Sequence, residues 1–478
     1  MRFAGFIGPS YLSQSVNVDC QRTVNLYPEI NALGTGKERE VASLVMTPGL
    51  RALLTLPESP IRGIYTASNS ELYVAAGQKM YQVSSSWVAT ELGVLDTRSG
   101  PVSMADNGTH IVLVDGVAGY TFNMDTDTFA KIVDPDFFVA DQVAYVDGYF
   151  ICNKKGSQQF FISGLNDIEW DALDIASAEG SPDNIIGLIA ANQQLVMFGT
   201  QSIEVFYNSG DADFPFTRIQ GAVIDTGCAA AFSVQKLGTA GIFFVGADDT
   251  GTGIVYQMQG YQVKPVSTPS LESLIRSLSA EQISAAVGWT YQQGGHPFYC
   301  LNIPGLNSTW CYDASTQFWH ERTFLELWSQ KRHRAQVHTV AHGLNVVGDY
   351  ETGVLYALDP AVFTDNGTSI VRERTAPHIS KGLKLIRHHS FELDMETGVG
   401  LIDGQGSDPQ AMLQWSNDGG HTWSAELMAP IGGIGKTKTR VKWNRLGMAR
   451  DRVYRVRITD PVPVTLIGAE VEVEEGLS

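Results

Sequence analysis

The chain reads as an all-β protein: a β-propeller of about seven blades with a short helical insertion, followed by a C-terminal β-sandwich. Three observations predict this. Short apolar runs separated by Gly-, Asn- and Asp-bearing turns recur from Val45 onward. An aromatic residue marks the third strand of each beat: Tyr81, Tyr120, Phe161, Tyr207, Tyr256, Tyr312 and Tyr356. Their steps are 39, 41, 46, 49, 56 and 44 residues, the length of a four-stranded propeller blade with variable loops. Around Asp359-Pro360 the rhythm stops, and five strand signals follow in the last stretch of chain, as in a compact sandwich. Six blades result if the first or last beat belongs elsewhere. A plain β-sandwich throughout is the competing arrangement, but seven like beats fit a ring better.

Taken in order, residues 1–41 are polar and Gly-bearing and are expected to form an extended N-terminal arm. Within it DCQRTVNLYPEI (19–30) would lie on another surface. Residues 42–360 carry the propeller beats, for example IRGIYTASNSELYVAAGQKMYQV (61–83) and IGLIAANQQLVMFGTQSIEVFY (186–207). The longest step holds the helical insertion, near 268–288. Leu271, Leu274, Ile275 and Leu278 fall at helical spacing. Pro269 suits a first helical turn, where a missing N–H costs nothing. Ser279 with Gln282 reads as a capping box for a second short helix over Ile283–Val287. A hairpin around Pro304-Gly305 follows and sets Cys300 opposite Cys311, which read as buried thiols on adjacent strands rather than as a disulfide. Residues 361–385 are polar and basic, a linker or extension, and 386–478 form the sandwich.

The formal net charge is −18, from 33 basic and 51 acidic residues. Such a chain repels phosphate and is not an ordinary nucleic-acid binder. Residues 1–330 hold 16 basic against 33 acidic side chains, residues 331–457 hold 17 against 13, and the last 21 hold none against 5. No apolar run reaches 18 residues, so no membrane segment is expected. The start, MRFAGFIGPSYLSQSV, lacks the apolar core of a signal peptide, so folding or assembly in a cytoplasm is expected.

Few motifs carry chemistry. Ser416, Asp418, Gly420, Thr422 and Trp423 fit the Asp-box pattern S-x-D-x-G-x-T-W. The expectation is a structural turn: Asp418 accepts backbone N–H bonds, the glycines allow positive φ, and Trp423 buries beside the hairpin. His338 and His342 read H-x-x-x-H, but on a strand four residues span roughly 13 Å, too far for one ion. His388 and His389 would face opposite ways. No nucleotide-binding or hydrolase fingerprint opens a helix after a strand. No catalytic residue, metal site or cofactor is expected. Lys436, Lys438, Arg440 and Lys442 alternate with Thr437, Thr439, Val441 and Trp443, and Arg455 and Arg457 alternate with Tyr454, Val456 and Ile458. Period two puts each basic set on one strand face. Those faces either pair with Glu470, Glu472 and Glu474 in one sheet or stay open and dock an acidic neighbour.

TPSLESLIRSLSAEQISAAVGWTYQQGGHPFYCLNIP, continuing to WCYDASTQFWHER, resembles the packaged-DNA stabilisation proteins of short-tailed bacteriophages, their tail hub or nozzle proteins. So do SPDNIIGLIAANQQLVMFGTQSIEVFYNSG (181–210), FELDMETGVG (391–400) and VKWNRLGMARDRVYRVRITDPVPVTLIGAEVEVE (441–474), in the same order along residues 45–474. The resemblance implies a structural protein, not an enzyme. It implies a homo-hexameric ring below a portal-adaptor, with a tail needle or plug protein and with tailspikes or fibres nearby. DNA would pass through the channel without specific binding, in a virion tail assembled in the host cytoplasm. The alternative is a glycan-binding or glycan-degrading propeller of the tail, which rests on the blades and the Asp box and needs paired carboxylates at the propeller mouth.

Overall fold

Seven sheets stand in a ring, and six of them are local antiparallel meanders of the chain. The computed structural model describes residues 1–30, 42–178, 180, 183–248, 251–382 and 384–476. Blades 1 to 6 cover residues 61–94, 103–131, 143–177, 185–218, 227–265 and 287–326. Blade 7 takes three strands from Ala335–Ala341, Leu344–Asp349 and Val354–Asp359, and its fourth, Gly49–Thr55, from the other end of the propeller sequence. The ring is thereby closed by pairing strands 300 residues apart, and the Arg51–Asp359 ion pair at 2.9 Å lies on that seam.

The periodic aromatics locate the third strand of every blade. Six of the seven are buried between neighbouring sheets; Tyr207 is 42% exposed, and the preceding Phe206 packs instead. The contacts run continuously round the ring, from Tyr73, Leu113 and Phe122 between blades 1 and 2 to Ile61, Val74, Val346 and Leu355 between blades 7 and 1. A fully buried side chain of this size is worth about 1.5–3 kcal/mol, so the sheets hold one another. Between blades 5 and 6 the inserted helices Pro269–Arg276 and Ala280–Ser284 bury Leu271, Ile275 and Ile283 against Phe243 and Trp310. The second helix has the expected capping box, with Ser279 and Gln282 bonding reciprocally. Neither helix is long and apolar enough to cross a membrane.

The sandwich follows, but its strands come from both ends of the chain. One sheet runs Leu26–Ile30, Ala42–Met46, Thr465–Glu475, Ile386–Met395, Val441–Asn444; the other runs Cys20–Val24, Arg372–Thr375, Asp451–Ile458, Gln410–Ser416, Leu427–Pro430. Their shared core includes Phe3, Phe6, Leu26 and Leu44 with Phe391, Trp443 and Tyr454. This corrects the expected boundaries. Residues 1–30 are not an arm lying on another surface, because their apolar side chains complete the sandwich core; residues 31–41 of that expected arm lie outside the described residues. Residues 42–46 belong to the sandwich, and the propeller starts at Gly49. The expected linker 361–385 contains a core strand, Arg372–Thr375, whose charged side chains are all buried. Cys20–Val24 also pairs in parallel with blade 6, Val24 opposite Glu321, so the second sandwich sheet continues into the propeller.

Candidate functional site

The inner strands of all seven blades enclose one central cavity of about 540 Å³. Tyr65, Met104, Tyr145, Ile189, Trp289 and His338 line it. At its mouth the buried Arg62 donates to the carbonyls of Gly77, Thr97, Ser99 and Gly100 at 2.7 to 2.9 Å. A volume of that size, lined by side chains from every blade, is that of a small-molecule pocket rather than of a duplex channel. The propeller is therefore a solid block with respect to DNA.

Where blade 6 meets the sandwich, an ionic network is buried. Arg22 reaches Glu321 at 2.5 Å and Glu373 at 3.8 Å, and Arg457 reaches Glu373 at 2.7 Å. Ser10 and Ser308 also donate to Glu321. Burial works to raise the Glu373 carboxyl, yet Arg22, Arg457 and Arg455 hold it below the ordinary range. Arg374 is fully buried with no acid bonded to it, and its guanidinium donates to Phe6 O, Gly5 O, Pro9 O, Gln21 Oε1 and Thr23 Oγ1. Burial pushes it down to about 9, so it stays a cation around which residues 5–23 are wrapped. Asp365 lies in the same region, pushed up to about 7 by burial against the opposing pull of Arg322 and Arg372. Of these residues only Arg455 and Arg457 stood out in the sequence, as part of a basic strand face. For the others the one available signal was that RERT is a strand-length charged segment and CQRTV a strand-length segment with a single Arg, both of which read as surface.

The predicted basic face does not form. Only Val441–Asn444 of that run is strand. Gly432 and Gly435 adopt φ of 99° and 78°, and Thr437 N and Thr439 N bond back to Gly435 O and Lys436 O, so Lys436 and Lys438 sit in turns. Arg440 makes two bonds to Glu392, at 2.6 and 2.7 Å, and Lys442 approaches it at 3.7 Å. Strand Ile386–Met395 separates this run from Glu470, Glu472 and Glu474. Arg455 and Arg457 lie in the other sheet, Arg455 over the Trp423 ring at 3.9 Å and Arg457 on Glu373 and Glu426. The structure thus brings the six residues to two separate places, and four of them have partners within the chain.

The Asp box is a turn. Asp418 accepts from Ser416 Oγ, Thr422 N and Thr422 Oγ1 at 2.6 to 2.9 Å, and these bonds, Ser416's first, hold its carboxyl well below the usual range. Gly419 and Gly420 have φ of 73° and 99°. The turn presses on Asn17 and Cys20, leaving no room for a Cβ at Gly419 and only a tight fit at Gly420, so it seats the N-terminal segment. Trp423 is half-buried under Arg455 rather than buried beside the hairpin. His338 is half-buried beside Asn345 Oδ1 at 3.0 Å while His342 lies in the next turn near Val83 O, and His388 is buried while His389 meets Glu474 at 3.0 Å. Among the described residues no three metal-ligating side chains cluster. Cys300 and Cys311 face each other as free, buried thiols, Sγ to Sγ 3.0 Å.

The comparisons with known proteins agree with this architecture. A family model described as the β-propeller of bacteriophage P22 Gp10 matches residues 18–363, and one described as its β-sandwich matches residues 371–474. The tail hub protein gp10 of Salmonella phage P22 is 25% identical over 474 residues, covering 94% of this chain and 95% of that protein. Solved structures are more distant. The extracellular domain of BT4673 from B. thetaiotaomicron is 9% identical with a TM-score of 0.45, covering 74% of this chain and 45% of that one. The Cps50 (Swd1) β-propeller of Myceliophteria thermophila is 8% identical with a TM-score of 0.42, covering 64% and 98%. The relative that spans both domains is a tail hub protein, and this chain, a propeller and a sandwich matched over residues 18–363 and 371–474, belongs to the bacteriophage P22 Gp10 family.

Proposed function

We propose that the chain is the hub, or nozzle, of a short phage tail: six copies form a ring below the portal-adaptor, close the DNA exit channel and retain packaged DNA until ejection. The observation that carries this reading is the collinear match of both domains to the P22 tail hub. The physical chemistry supports it. The propeller cavity is too narrow for a duplex, so DNA runs along the ring axis between subunits. Six copies of a chain of net −18 carry about −108, and a wall of that sign lets phosphate slide without binding it. The needle or plug and the tailspikes or fibres dock on this ring, and assembly takes place in the host cytoplasm.

The test is a phage that lacks the chain. Heads are expected to fill and then lose their DNA, and a map of the parental tail is expected to show six copies below the adaptor. Heads that keep their DNA without the chain, or a tail with three or twelve copies, would refute the proposal.

A further inference from the structure

One row of side chains crosses blade 6 from strand to strand. Trp289 stands opposite Cys300, Cys300 opposite Cys311, and Cys311 opposite His320. Directly paired residues share a sheet face, so the four point the same way, into the packing between blades 6 and 7 beside Ala335, Val347 and Tyr356. The two thiols are fully buried and 3.0 Å apart, Sγ to Sγ. Opposed residues of an antiparallel pair have Cα atoms roughly 4.5–5.5 Å apart, inside the range of roughly 4.4–6.8 Å that a disulfide spans. A bond of about 2.05 Å needs the sulfurs to close by only about 1 Å, with the strand register kept.

The surroundings treat the two sulfurs differently. Burial works to raise the Cys311 thiol, yet the bonds from Cys300 and His320 and the charge of Arg322 hold it down at about 5. Cys300 goes the other way, pushed well up by burial, and keeps its proton. His320 lies against the Tyr27 and Phe298 rings and meets no polar group but the thiol. Arg322, two residues on and on the same face, is buried over the Trp289 and Tyr291 rings and donates to Pro48 O and His333 Nε2, while its Nε has no partner. An interior with polar atoms of this kind admits water-sized molecules, and hydrogen peroxide is little larger than water. The other thiols are set apart. Cys20, Cys152 and Cys228 lie in the sandwich, blade 3 and blade 5, and burial pushes each of them up.

We infer that Cys300 and Cys311 are a modification site, which a small hydroperoxide such as hydrogen peroxide converts into a cross-strand disulfide while the blade stays folded. Cys311 Sγ attacks one peroxide oxygen and the O–O bond breaks. The displaced hydroxide leaves as water with the proton that the Cys311 thiol gave to His320, and Cys311 becomes a sulfenic acid. Cys300 Sγ then attacks Cys311 Sγ, the S–O bond breaks, and that hydroxide leaves as water with the Cys300 proton. Each sulfur is oxidised by one electron, and the peroxide is reduced to two waters. The link braces the blade on which the sandwich is anchored, since Glu321, next to His320, pairs with Val24. This chemistry is independent of the hub reading.

The test uses the full-length chain, treated with hydrogen peroxide at pH 7, then unfolded, alkylated and weighed. Three alkylated thiols are expected in place of five, with two hydrogens lost, a linked Cys300–Cys311 peptide and all five thiols recovered on reduction. The melting temperature of the oxidised chain is expected not to fall. In Cys300→Ser, Cys311 should stop at the sulfenic acid and be trapped by dimedone. In Cys311→Ser, oxidation of Cys300 should slow at least tenfold. His320→Gln should make the rate climb about tenfold per pH unit between pH 6 and 8, as the thiolate fraction does, where the parent's rate is nearly flat. Five thiols after treatment overturn the inference. So do sulfinic acids at Cys300 and Cys311 without a link, a link to Cys20, Cys152 or Cys228, a melting temperature lowered by the link, or a link that forms only in the unfolded chain. A His320→Gln profile as flat as the parent's would refute the proton path through His320.

Discussion

At the scale of single residues, charge burial matters most at the junction of blade 6 and the sandwich. Glu321 is 2% exposed and satisfies Arg22, Ser10 and Ser308 together. Glu321→Ala removes the bidentate partner of Arg22, which is 27% exposed and keeps Glu373 at 3.8 Å, so the loss is that of charged hydrogen bonds, roughly 2 kcal/mol, rather than of a fully buried pair broken from one side. Denaturant unfolding of the variant should show that loss, and a change under about 1 kcal/mol would mean the pair is dispensable. Asp365 gives a pH test of opposite sign from most acids. Burial, against Arg322 and Arg372, sets its folded value at about 7, above its unfolded value near 3.9. The folded state therefore holds an extra proton between those values. Stability from this group is full below about 4, falls by about 1.4 kcal/mol per pH unit as pH rises, and levels off above about 7. Carboxyls held low, such as Glu373, slope the other way but are shared by parent and variant. Asp365→Asn cannot ionise, so its melting temperature should exceed the parent's at pH 8 and match it at pH 4. Equal gaps at both pH values would refute the assignment.

At the scale of elements, capping and periodicity were readable and long-range pairing was not. Ser279→Ala removes the side-chain acceptor for Gln282 N and should cost about 1 kcal/mol, measured as a lowered melting temperature; no change would mean that packing of Ile283 alone fixes the helix. The capping box was legible because Ser279 and Gln282 are near neighbours, but the helix it opens is Ala280–Ser284 rather than the expected Ile283–Val287, and Val287 begins blade 6. The third strands were legible for the same reason, since the inward aromatic of each meander is local chemistry, and only Tyr207 misled by one position. The strand Arg372–Thr375 was illegible: four polar residues read as a linker unless the partners Arg22 and Arg457, far away in sequence, are known to be there. The basic alternation at 436–440 misled in the opposite way. Period two is necessary for a strand but does not suffice, and Gly432 and Gly435 at positive φ curl the chain before a ladder can form.

At the scale of the whole molecule, the family boundary between 363 and 371 divides the sequence more cleanly than it divides the structure. The sandwich takes Cys20–Val24, Leu26–Ile30 and Ala42–Met46 from before the propeller, and Cys20–Val24 hydrogen-bonds to both Arg372–Thr375 and blade 6. Its core takes Phe3 and Phe6, which pack on Phe391 at 6.5 and 6.1 Å between ring centroids. A fragment of residues 371–478 would therefore expose one flank of each sheet, lose two aromatic anchors and leave Arg374 without the carbonyls of Gly5, Phe6 and Pro9. It is expected to lack a cooperative melt. Because the shared strand and the buried Arg22–Glu321–Glu373–Arg457 network tie the two units, the intact chain is expected to unfold in one calorimetric transition whose heat matches its van't Hoff value. Two resolved transitions, or a sharp melt of the 371–478 fragment alone, would show that the sandwich is an independent domain. Coupling of this kind passes load applied to the sandwich to the propeller through paired backbone rather than through a flexible hinge.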